Sequence, residues 1–171
     1  MCIIQITHWL DGSQVYGSSE ADAKFHRGEK GKLKISGEEA NSKGLLPTCP
    51  ASKDEEAPEQ DPCDNCEGLF SNAKREECFI GGDIRTNDGI TLISFHTLFM
   101  REHNRLAEKL AELNPGWEDE RLFQEARKIN VAQYQHIVYK EWLPIILGRS
   151  AQHIDLNLFN PSSFIKASHY F

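Results

Sequence analysis

The sequence predicts a mainly α fold with long loops and little β structure, and three observations carry that prediction. First, a Gly-rich turn at Gly81-Gly82 feeds a run in which Leu92, Phe95, Phe99, Leu106, Leu110 and Leu113 recur at three- and four-residue intervals, the period of one helix face. Second, after the break Asn114-Pro115-Gly116, a further amphipathic run starts near Glu118-Asp119-Glu120 and carries Leu122, Phe123, Ala126, Ile129, Val131, Ala132, Ile137 and Val138. Third, Asn41 to Glu77 is acidic, Pro-rich and Cys-bearing, and its stretch ASKDEEAPEQDP holds nothing that could build a core, so it reads as a surface loop.

Taken in order, the chain opens on QITHWLDGSQVYG, Gln5 to Gly17. Thr7, Trp9, Asp11 and Ser13 are spaced by two, so in an extended loop their oxygen-bearing groups turn to one side. Hydroxyls, a carbonyl and a carboxylate form a hard-oxygen set suited to calcium, although Asp-Gly-Ser is also an ordinary turn. Ser18 to Arg27 reads as a short helix capped by Ser18 or Ser19, with Glu20 and Asp22 at its positive end and Gly28 as its stop. Lys30 to Ser36 alternates polar and apolar residues and predicts one strand of a small hairpin with a solvated lysine edge.

Five cysteines, Cys2, Cys49, Cys63, Cys66 and Cys78, lie in the first half. Clustering in loop sequence predicts disulfide staples formed in an oxidising compartment, with Cys2 as the odd thiol. A zinc site on Cys49, Cys63, Cys66 and Cys78 is the rival reading of the CxxC. Gly81 and Gly82 allow positive φ or a close approach by a neighbour. Thr91, or Asp88 just before it, is the expected cap of the central helix, and Pro144 the expected stop of the second. The two helices are expected to pack antiparallel or at an angle, since neither can bury its face alone.

At 171 residues, 39% of them hydrophobic, the chain is long enough for one domain with a sizeable core. Its net charge of -7 and the absence of a Lys/Arg cluster argue against a nucleic-acid partner. No apolar run reaches the length of a transmembrane helix, and Met1-Cys2-Ile3-Ile4 lacks the length and flanks of a signal peptide, so no address is expected within these residues.

The run GGDIRTNDGITLISFHTLFMREHNRLAEKLAELNPGWEDERLFQEARKI resembles the heart of the animal haem peroxidases. REHNRL, LNPGW and ERLFQEARKI follow in the family's order and spacing, which is far more specific than any one short motif. The resemblance covers about Gln5 to Gly148. It implies a partial peroxidase domain over 1–148, with the acidic loop at about 41–77, a divergent tail over 149–171, and a helical fold of which this chain is an internal fragment. Its implied activity is the reduction of hydrogen peroxide with oxidation of a halide, phenolic or protein substrate, at an extracellular or secretory-pathway location.

The resemblance also assigns site residues. Arg85 falls on the family's distal arginine, whose fixed positive charge stabilises the hydroxide leaving the peroxide. The alternative from the residues alone is that Arg85 pairs with Asp83 or Asp88 to fix the turn. Asp88 falls where the family has a glutamate esterified to a haem methyl; it is one methylene shorter, about 1.5 Å less reach, which leaves the link open. Gly89 stands where myeloperoxidase has its methionine link. Thr7, Trp9 through its carbonyl, Asp11 and Ser13 fall on the family's calcium ligands. The implied cofactors are therefore haem b and calcium.

None of His8, His26, His96, His103, His136, His153 and His169 matches a haem-ligand motif. By the family's order the distal histidine, with a further calcium ligand beside it, falls before Met1, and the proximal one falls beyond the second helix. His96 and His103 are implied to be packing and hydrogen-bonding residues. The isolated chain is accordingly expected to be inactive and to expose an apolar face through Phe95, Phe99, Leu106, Phe123 and Ile137. A non-catalytic calcium-binding or interaction fragment is the competing functional expectation.

Overall fold

The computed structural model describes residues 7, 9–36, 44–50, 63 and 74–148. Five α-helices occur there: α1 (Ser13–Tyr16), α2 (Glu20–Phe25), α3 (Ile90–Leu113), α4 (Asp119–His136) and α5 (Leu143–Leu147), with a 3-10 turn at Arg75–Glu77. The fold is mainly helical, as predicted. Among the described residues β structure is limited to three isolated antiparallel bridges, Arg27 with Leu33, Ser36 with Leu45 and Thr48 with Phe79. The acidic stretch 51–60 lies outside the described residues.

α2 starts as its sequence requires. Ser19 Oγ accepts from Asp22 N at 3.1 Å while the Asp22 carboxylate accepts from Ser19 N at 3.1 Å, a reciprocal capping box. The strand expected over Lys30 to Ser36 pairs only through single bridges: Gly28 N donates to Lys32 O at 2.8 Å and Lys34 N to His26 O at 3.0 Å around Arg27–Leu33, and Ser36 N donates to Leu45 O at 3.0 Å. On the edge of Leu33 away from Arg27, Asn104 of α3 takes the place of a further strand: Leu33 N donates to Asn104 Oδ1 at 2.7 Å and Asn104 Nδ2 donates to Leu33 O at 3.1 Å. With that edge satisfied by a side chain, the pairing extends no further. Arg27 binds the other end of this segment to the start of α4, through Glu120 at 2.6 Å and through Asp119, and its guanidinium lies 3.8 Å from the Phe123 ring centroid.

α3 departs from prediction in two respects. Its N-cap is Gly89, with no side-chain cap; Asp88 precedes the cap and Thr91 already lies within the helix. More consequential is the face it buries. His96, Met100, His103 and Ala107 form the buried seam, whereas Leu92, Phe95 and Leu113 are 39%, 55% and 77% exposed. Two histidines occupy the core, His103 with both ring nitrogens hydrogen-bonded and His96 packed beneath Gly81, and the apolar stripe is left as a second face.

On α4 the expected Leu122, Phe123 and Ala126 are buried, but Asn130 takes the next core position and Ile129 faces outward. Phe123, expected on the exposed face, is 2% exposed; Phe95 and Ile137 are exposed as expected, with Phe99 and Leu106 half-buried. Pro144 does not end the helical run. The chain shifts into a π-helical turn over Ile137–Trp142, and Pro144 then sits in the first turn of α5, where a missing N–H removes no intrahelical bond.

One buried polar network joins these elements. His103 Nε2 lies 2.9 Å from Gly31 O, His103 Nδ1 lies 2.9 Å from Tyr16 Oη, and Asn130 Nδ2 donates to Tyr16 Oη at 2.8 Å and to Phe99 O at 3.0 Å. Around it pack Val15, Leu33, Leu46, Met100 and Phe123. Burial holds the His103 pKa down at about 4 and that of His26 at about 4, against an ordinary 6.5.

These depressed values fix the sign of a pH effect. The unfolded chain binds more protons than the folded one between pH 6.5 and 4, so the stability is fully present above pH 6.5 and is lost as pH falls through that window. The expected slope is about 1.4 kcal/mol per pH unit for each histidine. Urea denaturation of the native protein at pH 7, 6 and 5 checks this, and a stability flat across the window would contradict it.

Candidate functional site

The turn between Cys78 and α3 is built from the inside out. Asp83, Thr86 and Asn87 are buried, at 5%, 0% and 2% exposure, and each fixes backbone. Thr86 Oγ1 donates to Asp83 O at 2.6 Å, while Asn87 clamps Phe79 by accepting from its N and donating to its O, both at 2.9 Å. Arg85 and Asp88 fall on the remaining positions and face outward.

The two glycines serve by close approach, since neither has positive φ. A Cβ on Gly82 would lie 2.6 Å from Gly17 N and 2.7 Å from Ser13 O, both backbone atoms of the segment around α1. On Gly81 it would lie 2.9 Å from His96 Nδ1. The turn is therefore pressed against α1 on one side and α3 on the other.

Arg85 is braced by Asp83. Its Nε donates to Asp83 Oδ1 at 2.8 Å and its Nη2 to Asp83 Oδ2 at 2.6 Å, and the Arg85 N–H adds a third bond to Oδ1 at 2.8 Å. The Asp83 side chain is 3% exposed and that of Arg85 53%. A buried carboxylate holds the guanidinium from behind in the planar two-bond geometry that suits this pair. Burial pushes the Asp83 pKa up, but the hydrogen bonds from Arg85 outweigh it and hold the carboxyl below its usual range. The same hydrogen bond raises the Arg85 pKa, with smaller help from Asp83 and Asp88 charge. Asp88 is exposed, and its N–H donates to Arg85 O at 3.0 Å.

His96 lies beneath the pair. Its pKa is lowered by burial, which the Asp83 charge partly offsets, and its Nδ1 has no hydrogen-bond partner among the described residues. It lines a cavity of about 20 Å3 with His26, Gly81 and Met100. Neither this cavity nor the Tyr16 network was legible as a cluster in the sequence.

The oxygen-bearing loop converges in part. Thr7 Oγ1 donates to Asp11 Oδ1 at 2.9 Å, Thr7 Oγ1 and Ser13 Oγ lie 3.0 Å apart, and Ser13 N donates to Asp11 Oδ1 at 2.9 Å. Trp9 is 64% exposed. Among the described residues no three His, Cys, Asp or Glu side chains gather as metal ligands, so a cation at this loop would depend on hydroxyls with a single carboxylate.

The zinc reading of the cysteines is overturned. Cys49 and Cys63 form a disulfide, and Cys78 is also disulfide-bonded, which removes the thiolates that zinc requires. These cysteines pack with Ile80 and Phe25 as a second small core under the turn.

The fold and site define a mainly helical protein with an outward-facing arginine fixed by a buried carboxylate. Its sequence matches the animal haem peroxidase profile over residues 1–170, and the chain belongs to the animal haem peroxidase family. It is 42% identical over 151 residues to peroxidasin of Drosophila melanogaster, covering 86% of this chain and 9% of that protein. Chorion peroxidase of Aedes aegypti is 45% identical over 144 residues, 84% of this chain and 16% of that one, and human myeloperoxidase 40% identical over 150 residues, 85% and 19%. Among solved structures, peroxidase A from Dictyostelium discoideum superposes with a TM-score of 0.63 at 35% identity, over 80% of this chain and 24% of that one. The chain thus spans under a fifth of the length of these curated relatives.

Proposed function

We propose that this chain supplies the arginine-bearing part of a haem peroxidase site, in which Arg85 acts on bound hydrogen peroxide. The observation that carries the proposal is the combination of fixation and exposure: Arg85 is held at two nitrogens by Asp83 yet remains 53% exposed. The family implies haem. The residues here suit its edge, since Arg85 and Asp88 both face outward next to Ile90, which is 71% exposed. Haem, when bound, supplies the iron at which peroxide is reduced and the oxidising equivalents passed on to a halide, phenolic or protein substrate.

Arg85 holds a permanent positive charge where negative charge develops on the departing oxygen. Asp83 keeps that charge from reorienting, so little reorganisation is needed as the bond breaks. Asp88 is the proposed ester link to haem. The distal and proximal histidines, by the family's order, lie outside these 171 residues, in a peroxidase domain that takes in 1–148 and leaves 149–171 as a divergent tail. The disulfides fit an extracellular or secretory-pathway location.

Thr7, Asp11 and Ser13, with the Trp9 carbonyl, form the proposed calcium site. Thr7 Oγ1 lies 2.9 Å from Asp11 Oδ1 and 3.0 Å from Ser13 Oγ, so these oxygens would be close enough to share one hard cation.

Three outcomes test this reading. In the native haem-loaded protein, Arg85→Ala should slow stopped-flow oxidation of the haem by peroxide by about 100- to 1,000-fold while haem occupancy is kept; an unchanged rate removes Arg85 from the mechanism. Calcium chelation should lower the melting temperature of the wild type but not of Asp11→Ala, and a wild type indifferent to chelator would refute the calcium assignment. The 171 residues expressed by themselves should form no stable Soret band with added haem and should associate through Phe95, Leu98 and Ile137, which are 55%, 56% and 48% exposed. A monomer that binds haem and oxidises guaiacol would overturn the placement of both histidines outside the chain.

A further inference from the structure

We propose that Tyr16 and His103 form a proton-coupled radical site, in which Tyr16 gives one electron to a strong one-electron oxidant while its phenolic proton passes to His103 Nδ1. The proposal rests on the peroxidase reading above, because that reading supplies the oxidant: haem oxidised by peroxide.

The direction of the proton is set by the hydrogen bonds. A carbonyl only accepts, so the 2.9 Å contact to Gly31 O places the imidazole proton of His103 on Nε2 and leaves Nδ1 as a bare acceptor. Tyr16 O–H, 2.9 Å from Nδ1, therefore donates to it. Asn130 Nδ2 donates to the phenol oxygen at 2.8 Å, and that bond survives oxidation because the phenoxyl oxygen still accepts.

Tyr16 is 1% exposed and His103 is fully buried, with Phe123 edge-on to the phenol at 5.9 Å. The ring is thus shielded from water and small reductants. Burial raises the Tyr16 pKa far above the ordinary range, so prior loss of the proton is closed. Loss of the electron alone would leave a cation in the core beside Arg127, whose guanidinium lies 5.0 Å from the ring centroid. Only the joint transfer avoids both buried charges on the phenol.

The step balances simply. Tyr16 loses one electron and one proton and becomes a neutral phenoxyl; His103 gains the proton on Nδ1 and becomes an imidazolium bonded at both nitrogens; the oxidant is reduced by one electron. Return of the electron draws the proton back along the same bond. His103 is a weak base in this setting, its pKa held at about 4 by burial and then by Arg27 and Arg127, so the site relays an oxidising equivalent and does not store it.

Its position suits the role. Tyr16 ends α1, whose backbone is pressed against Gly82, the residue immediately before Asp83. Tyr134, by contrast, has its ring edge-on to Phe99 at 5.5 Å, and no imidazole among the described residues bonds its hydroxyl.

The test uses the native haem-loaded protein carrying the nearly isosteric replacement Tyr16→3-fluorotyrosine, mixed with peroxide, followed optically and freeze-quenched for EPR. A tyrosyl signal split by the fluorine nucleus is expected, with slower appearance in D2O, and loss of that signal in Tyr16→Phe. Oxidised haem without a fluorine-split signal would overturn the radical site while leaving the peroxidase reading intact. Failure of peroxide to oxidise the haem overturns the peroxidase reading itself and, with it, the radical site, and the optical trace distinguishes the two.

Discussion

The imidazole of His103 is the constraint on which the other elements depend. It comes from α3, binds the end of α1 through Tyr16 Oη and the segment before Leu33 through Gly31 O, while Asn130 brings α4 to the same phenol. Every bond in this set is buried, so a lost partner would leave a polar group unpaired in a low-dielectric interior, at a cost of about 1–3 kcal/mol. Such a network specifies one arrangement of the helices where apolar packing alone would tolerate several. Because α1 is fixed in this way, the glycine turn can be pressed against it, and the orientation of Arg85 follows.

The turn separates two tasks among neighbouring residues. Asp83, Thr86 and Asn87 spend their polar groups on the protein's own backbone and on Arg85, whereas Arg85 and Asp88 keep groups for the outside. The pairing that could have been a reason to dismiss Arg85 as a structural residue is also what would hold it ready for the role proposed for it on peroxide. An exposed, unbraced arginine would lose side-chain entropy on each turnover, of order 1–2 kcal/mol, and Asp83 removes much of that cost in advance.

The helices were legible in the sequence because their evidence is local: the three- and four-residue spacing, the break at Asn114-Pro115-Gly116 and the Ser19–Asp22 capping box all act within a few residues. What was missed is long-range. The buried seam of α3 contains His96 and His103, and no periodicity of apolar residues can reveal a face with polar core positions, one of them, His103, bonded to Tyr16 87 residues away. The pairing over Lys30 to Ser36 stays at single bridges for the same reason, since the outer edge of Leu33 is taken by Asn104, 71 residues away. Arg85 was legible through its resemblance to a family motif. Its brace, though only two residues away, was one of two open pairings until the turn geometry selected Asp83 over Asp88.

The most direct test of this account is a crystal structure of the native haem-loaded protein with cyanide on the iron. The account predicts the Arg85 guanidinium within hydrogen-bond distance of the bound anion while both bonds to Asp83 persist. An Arg85 turned away from the ligand, or one that must release Asp83 to reach it, would contradict the claim that the turn presents a prepositioned charge.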